Sequence, residues 1–327
     1  MLKVGLVSRW HVHADEYANA VKEYADAEIT AVWDESAERG KKWAAELGCQ
    51  YYGDYNMMLR KADIDAVVIA SPTSMHPSLM LKAAKAGKHI FTEKALTVKL
   101  TDSKKIAAAV KENGVKFVVS FPHKSRRELI FAKQAIDSGR LGKITYARVR
   151  NVHNGSSAGW LPDYFYDETL CGGGAMIDLG AHPMYTLEWF LGKPLFVQSL
   201  FTDITHRGVE DNAVSLIEFE NGATGVSETG FVSEFNPYTV EISGTDGYLV
   251  IRNGKVEIAD RSTGGRLTVV TELPESQKLP IYQWMDWCCG TAEAPEGILI
   301  DDAVALTALT HASYKANKNG DKTYVEF

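Results

Sequence analysis

The side chains with the clearest chemical capacity are Lys94, Asp178 and His182. Asp178 and His182 follow a run of glycines, Gly172–Gly174, in the segment CGGGAMIDLGAHPMY. Their spacing puts them on one face of a helix expected near Ala175–Leu191. The glycines ahead of that helix let backbone approach a ligand closely. An alcohol that loses hydride must also release its O–H proton, so a base poised near neutrality is required. His182 is the candidate base, and Asp178 the group that holds a substrate hydroxyl or orients the imidazole. Lys94 is the cation that stabilises developing alkoxide charge. It follows Glu93 at the expected carboxyl end of a strand, where open parallel sheets bind ligands.

A second constellation lies at the amino end. Leu2–Val7 reads as a strand entering a helix near Ala14–Tyr24, the junction where a dinucleotide's pyrophosphate meets a helix N-terminus. The connection is Ser8-Arg9-Trp10-His11-Val12-His13, and the G-x-G-x-x-G fingerprint is absent: Ser8 and Trp10 stand where its first two glycines are expected. Ser8 can donate to a phosphate and Arg9 can supply charge; the opposing reading has Trp10 filling the pocket. Asp34 closes the second strand, suited to adenosine ribose hydroxyls and equally to capping the next helix. Glu35 beside it repels a 2′-phosphate, so NAD is expected over NADP. His11 and His13 suggest metal ligands, but positions two apart do not share a helix face and no nearby carboxylate or thiol completes a set, so no metal is expected.

The elements that must hold these groups are legible from periodicity. Strands are expected at Glu28–Trp33, Asp65–Ala70, His89–Thr92 and Lys116–Ser120, with helices at Ser36–Leu47, Pro77–Ala86 and Asp102–Asn113 between them. Such alternation predicts an α/β Rossmann-type, doubly wound parallel sheet. Beyond residue 145 the pattern becomes one of half-exposed strands: Ile144–Val152, Phe196–Phe201, Ala213–Glu220, Thr224–Thr229, Tyr238–Ser243, Gly247–Arg252, Lys255–Ala259 and Leu267–Leu273. Asn221-Gly222, Asp246-Gly247 and Asn253-Gly254 supply hairpin turns. The second half is therefore expected to be an α+β domain with a large, mainly antiparallel open sheet. Its first helix is Ser125–Ser138 and its last Asp301–Asn317, and the boundary falls near residue 122, giving domains 1–122 and 123–327.

Composition narrows the class. The 327 residues are 45% hydrophobic and 24% charged, with a net charge of −7. That is ordinary globular composition, and the acidic balance argues against nucleic-acid binding. No stretch approaches the roughly 18 apolar residues of a membrane helix, the start does not read as a secretory signal, and the four cysteines lack disulfide or zinc spacing. A cytoplasmic protein with reduced thiols is expected.

The segment IDAVVIASPTSMHPSLMLKAAKAGKHIFTEKAL (residues 64–96) resembles the Gfo/Idh/MocA oxidoreductases. FPHKSRRELIFAKQAIDSGRLGKI is similar to that family's interdomain helix and following strand, and CGGGAMIDLGAHPMY to its G-G-G-x-x-x-D-x-G-x-H site. The resemblance covers essentially the whole chain. It implies an NAD-dependent oxidoreductase transferring hydride between nicotinamide and a hydroxyl or keto group of a sugar, sugar derivative or cyclitol. Catalysis falls to Lys94, Asp178 and His182; cofactor contacts to Ser8, Arg9, Trp10, His11, Asp34, Ser71, Pro72, Thr73, His76, Glu93 and Lys94. Substrate contacts are implied for His123, Lys124, His153, Trp160, Tyr164 and Asp178, with Asp163 nearby; aromatic rings beside hydrogen-bonding groups suit sugars. Relatives pair their open sheets, implying a homodimer or homotetramer. Two departures matter: Ala95 replaces the family's proline, so the Lys94–Ala95 bond is expected to be trans, and the usual basic pair is His123–Lys124. The competing readings are a catalytically silent ligand-sensing relative and an enzyme that processes glycosides with a retained NAD.

Overall fold

Runs such as Ala66-Val67-Val68-Ile69, apolar on both faces, can be buried only in a sheet covered on each side. The computed structural model, which describes residues 1–235 and 237–327, places this run at the centre of a six-stranded sheet. Its strands are β1 (Leu2–Val7), β2 (Ala27–Trp33), β3 (Gln50–Tyr51), β4 (Ala66–Ile69), β5 (His89–Thr92) and β6 (Phe117–Val119). The order is β3-β2-β1-β4-β5-β6 and every pairing is parallel. Helices α1 (Ala14–Glu23), α2 (Ala37–Leu47), α3 (Tyr55–Lys61), α4 (His76–Lys85) and α5 (Leu100–Glu112) connect the strands. The Ser36 hydroxyl caps α2 by accepting from Arg39 N, and Gly48, at φ 69°, ends it. The order reverses between β1 and β4, so the carboxyl ends of these strands form a topological switch point.

The second sheet has nine strands: β7 (Ile144–Val152), β8 (Pro194–Thr202), β9 (Asn212–Phe219), β10 (Thr224–Gly230), β11 (Tyr238–Gly244), β12 (Tyr248–Arg252), β13 (Lys255–Ala259), β14 (Thr268–Val269) and β15 (Thr323–Tyr324). Their order is β14-β13-β12-β11-β7-β10-β9-β8-β15, antiparallel except for the β7–β10 pair. Residues of β9 alternate strictly, with Ala213, Ser215, Ile217 and Phe219 buried and Val214 and Leu216 exposed. Helix α6 (Arg127–Asp137) precedes this sheet, and α7 (Gly155–Ala158) and α8 (Glu168–Cys171) are single turns. Helix α9 (Ala181–Leu191) lies against β7 and β10.

The chain forms two compact units, Met1–Ser120 with Lys278–Thr307, and Phe121–Gln277 with Ala308–Phe327. Residues 278–307, which a single cut at residue 122 assigns to the second half, thus belong to the first. They carry α10 (Pro280–Cys289) and the start of α11 (Ile300–Asn319). Among the described residues, no helix is long and apolar enough to cross a membrane.

Three expectations are corrected. The helix expected from Ala175 begins at Ala181. Pro183 has no N–H to continue a helical ladder from upstream, and residues 174–180 instead form tight turns closed by Asp178 N to Gly174 O and Gly180 N to Ala175 O. Asp178 therefore precedes the helix that carries His182. The strand expected at Leu267–Leu273 contracts to the exposed β14, since one partner strand orders only Thr268 and Val269. The Lys94–Ala95 peptide is cis. Its surroundings are closely specified: Ala95 and Leu96 are buried, and both their carbonyl oxygens lie 3.0 Å from Nδ1 of the buried His76.

Candidate active site

In the first unit the chain leaves β1 at Ser8, which is buried and adopts φ 70°, a left-handed conformation that normally calls for glycine. Ser8 Oγ accepts from Trp10 N at 3.1 Å, closing the turn with a side chain where the fingerprint uses a bare backbone. The turn after β1 is thus closed by a side chain in place of the fingerprint's glycines. Arg9 does not supply charge as expected. Its guanidinium is taken by Asp15 at 2.8 Å and Glu46 at 2.7 Å and lies over the Trp43 ring. Its backbone N–H donates to Asp34 Oδ2 at 2.8 Å.

Asp34 is buried at the end of β2 and receives Ser36 N at 2.7 Å and a two-pronged contact from Arg39 at 2.8 and 2.9 Å. Arg39 also pairs with Glu35. This arginine, which sequence reasoning passed over, neutralises both acids of the pair while aiming Asp34; its only sequence signal is its place one turn into α2. Ser71 and Pro72 are buried at the end of β4, and Thr73, partly exposed, opens a short 3₁₀ turn. His76 Nε2 faces Ser71 O at 3.1 Å, so its ring ties the β4 and β5 loops together from beneath. Burial lowers its pKa.

Glu93 is the centre of this end of the sheet. Its buried Oε1 accepts from His13 Nδ1 at 2.8 Å and from the Tyr17 hydroxyl, while Oε2 accepts from Lys94 N at 3.0 Å. His11 Nδ1 stands 3.9 Å from Oε1. The expectation that no carboxylate accompanies His11 and His13 is thereby overturned: Glu93 joins them across the sheet, and the three can offer ligand atoms within 4.8 Å of one another. The existing hydrogen bonds already engage these atoms, including His13 N to His11 Nδ1 at 3.2 Å, and their direct effect is to fix the backbone of Lys94. Burial opposes ionisation of Glu93, but the charges of His11, His13 and Lys94 outweigh it and hold the carboxyl well below its usual range. Burial likewise opposes protonation of His13, and Glu93 outweighs it, so that pKa is raised. Tyr17 was missed, and His13 was weighed only as a metal ligand, because their partner Glu93 lies just beyond β5, far away in sequence.

In the second unit His182 occupies the first turn of α9, buried, with Nδ1 2.8 Å from the Tyr185 hydroxyl. That oxygen also accepts from His123 N at 3.2 Å. When Nδ1–H is the donor to Tyr185, Nε2 keeps its lone pair, the form a base requires. The rings of His123 and His182 stack at 4.3 Å, and the Tyr238 ring meets His123 edge-on at 4.9 Å. Lys124 Nζ lies 5.6 to 6.0 Å from the rings of Phe121, Trp189 and Tyr185. Sequence reasoning named His123, Lys124 and His182 and missed Tyr185, whose signal was its place one turn beyond His182.

His153 packs flat on Phe231 at 4.9 Å and accepts from Gly155 N at 2.9 Å. Trp160, 55% exposed, tilts against His153 at 4.7 Å and donates to Asn154. Asp163 is highly exposed and pairs with Arg207, and Tyr164 stands at the surface. These residues form a local aromatic group over the small core of Leu161, Phe165, Tyr166 and Phe231.

Two glycines of the run, Gly173 and Gly174, are also required by contacts inside the protein. A side chain at Gly173 would overlap the Tyr314 hydroxyl, and one at Gly174 would overlap Glu210 O. Packing from within the protein therefore demands these glycines.

Comparisons with known proteins show the family. Residues 4–121 match the oxidoreductase family with an NAD-binding Rossmann fold, and residues 130–250 match the GFO/IDH/MocA C-terminal domain. The chain is 32% identical over 256 residues to scyllo-inositol 2-dehydrogenase (NAD(+)) of Bacillus subtilis (strain 168), covering 76% of this chain and 72% of that one. It is 28% identical over 264 residues to 1,5-anhydro-D-fructose reductase of Ensifer adhaerens, covering 78% and 75%. A structure of levoglucosan dehydrogenase with NADH and levoglucosan has the same fold, with a TM-score of 0.86 at 20% identity over 100% of both chains. The protein belongs to the Gfo/Idh/MocA family of oxidoreductases. Its first unit contains that family's NAD-binding domain.

Two outcomes follow from the first unit. Ser8→Ala keeps the left-handed backbone but loses the Oγ acceptor, and should lower unfolding free energy by about 1–2 kcal/mol; Ser8→Gly should stay within about 1 kcal/mol of wild type. Denaturant titration distinguishes them. The His13–Glu93 pair carries a pH signature. The raised His13 pKa contributes stability that is full below its ordinary 6.5 and fades as pH rises through the folded value. The lowered Glu93 pKa contributes stability that is full above 4.5 and fades as pH falls. The pair should therefore stabilise most between about 4.5 and 6.5. His13→Gln should flatten the decline of melting temperature on the alkaline side.

Proposed function

We propose that the protein is an NAD-dependent dehydrogenase or reductase acting on a hydroxyl or keto group of a sugar, sugar derivative or cyclitol. The observation that carries this reading is His182, buried with Nδ1 on the Tyr185 hydroxyl, in a chain whose first unit has the turn and the acidic strand end that a dinucleotide needs. Relatives named for inositol, anhydrofructose and levoglucosan chemistry support the substrate class.

NAD, when bound, supplies the hydride acceptor or donor. The Ser8–His11 turn spends its backbone amides inside the protein, so the Ser8 hydroxyl is the group that donates to the pyrophosphate; Asp34 takes the adenosine ribose, and Ser71–Thr73 border the cofactor. Glu93 fixes the backbone of Lys94, whose ammonium stabilises the alkoxide oxygen. His182 Nε2 takes the hydroxyl proton during oxidation and returns it during reduction, and Asp178 holds a neighbouring hydroxyl. His123, Lys124, His153, Trp160 and Tyr164 offer the cation-and-ring surface that a polyol's C–H faces and hydroxyl rim require. The protein is read as cytoplasmic and as a homodimer or homotetramer, joined through the open sheet face on which Leu200, Val214 and Leu216 are exposed.

Energy transfer from tryptophan to bound nicotinamide should show saturable binding that favours NADH over NADPH; absence of binding, after removal of any retained cofactor, would defeat the reading. His182→Ala should lower kcat by about 10²–10⁴-fold with NADH affinity unchanged. Leu200→Lys with Leu216→Lys should yield monomers by light scattering.

A further inference from the structure

We propose that Glu210, braced by Tyr314, is a positioning residue that sets the turn from Gly172 to Gly180 and through it the placement of Asp178 and His182. This rests on the functional reading above only where it concerns turnover.

Three consecutive backbone amides end on this one residue. Glu210 Oε1 accepts from Gly174 N at 2.9 Å and Met176 N at 3.0 Å, and Glu210 O accepts from Ala175 N at 2.7 Å. Two of these amides converge on the carboxylate and the one between them on the same residue's carbonyl, so side chain and backbone of Glu210 together hold the turn. The Tyr314 hydroxyl, from α11, donates to the same Oε1 at 2.5 Å. The turn is then relayed outward: Gly174 O accepts from Asp178 N at 3.2 Å, Ala175 O from Gly180 N at 2.8 Å, and Leu179 O from His182 N at 3.1 Å. Thr229 Oγ1 adds a contact to Ala175 O at 3.3 Å. The chain of bonds thus runs from Glu210 to the backbone of both residues proposed for catalysis.

The glycines complete the device. Because side chains at Gly173 and Gly174 would overlap Tyr314 and Glu210, the run can seat against this pair only as bare backbone. Oε1 acts solely as an acceptor. A neutral carboxyl protonated on Oε2, or a glutamine amide, therefore satisfies the same donors, and alanine satisfies none. Burial raises the Glu210 pKa against the pull of its donors, in keeping with a group whose task survives protonation.

The test compares Glu210→Gln, Glu210→Ala and Tyr314→Phe in the full-length protein. Amide hydrogen exchange should accelerate in residues 172–180 for Glu210→Ala, accelerate less for Tyr314→Phe, and stay near wild type for Glu210→Gln. This arm needs no substrate. With NAD and a sugar or cyclitol that wild type oxidises, Glu210→Ala should lose about 10–100-fold in kcat with NADH affinity within twofold of wild type, and Glu210→Gln should recover most of it. If Glu210→Ala does not fold, Tyr314→Phe carries the same comparison with smaller changes. Unchanged exchange in 172–180, equal damage from Gln and Ala, or a kcat loss matched by the unfolded fraction would each overturn the proposal. Altered exchange alongside a wild type inert toward every polyol would leave the latch standing and remove the catalytic reading instead.

Discussion

A buried carboxylate at the end of a parallel strand is the constraint on which the first unit turns. Glu93 is stable as an anion only because His13, Tyr17 and the Lys94 amide converge on it, since an unpaired buried charge is far too costly to keep. The partners come from the β1–α1 turn, from α1 and from the residue that follows Glu93 itself. Meeting at one carboxylate, they lock the loop that must accept a dinucleotide to the loop that bears Lys94. A change in either loop is felt in the other.

The second unit solves a similar problem with a second carboxylate. Glu210 gathers the amides of residues 174–176, and Tyr185 bridges His182 to the His123 backbone. In both units the groups proposed to do chemistry are not anchored by packing alone. Their backbones are held by charged or hydroxylic side chains that sit one layer beneath them.

Much of the architecture could be read from the sequence because its signals are local. The run His89–Thr92 became β5 within the same limits, and Ile144–Val152 and Lys255–Ala259 likewise became β7 and β13. Elements defined by tertiary packing were not legible. Helix α10 begins at a proline and contains paired cysteines and aromatics, which carry little helical propensity; burial of Ile281, Trp284 and Met285 makes it a helix. The start of α9 was misplaced because apolar periodicity runs through Gly180 without a break. Lys94, Asp178 and His182 could be named, but their supports could not. Glu93 meets His13 across 80 residues of sequence, and Tyr314 meets Glu210 across 104. Arg9 was assigned to a phosphate because its loop position is visible in sequence, whereas its carboxylate partner Glu46 lies on another helix.

The return of residues 278–307 to the first unit bears on how such a chain can be recombined. The backbone crosses between units after Ser120, after Gln277 and within α11 after Thr307. A fragment ending at residue 120 would lack Trp284, fully buried against Phe91, together with the Ile298 carbonyl that accepts from Val119 N. Its central sheet would present a raw apolar face. A shuffled gene that exchanges first units among such proteins must therefore carry two separate stretches of coding sequence, and they interleave with the two stretches, 121–277 and 308–327, of the second unit.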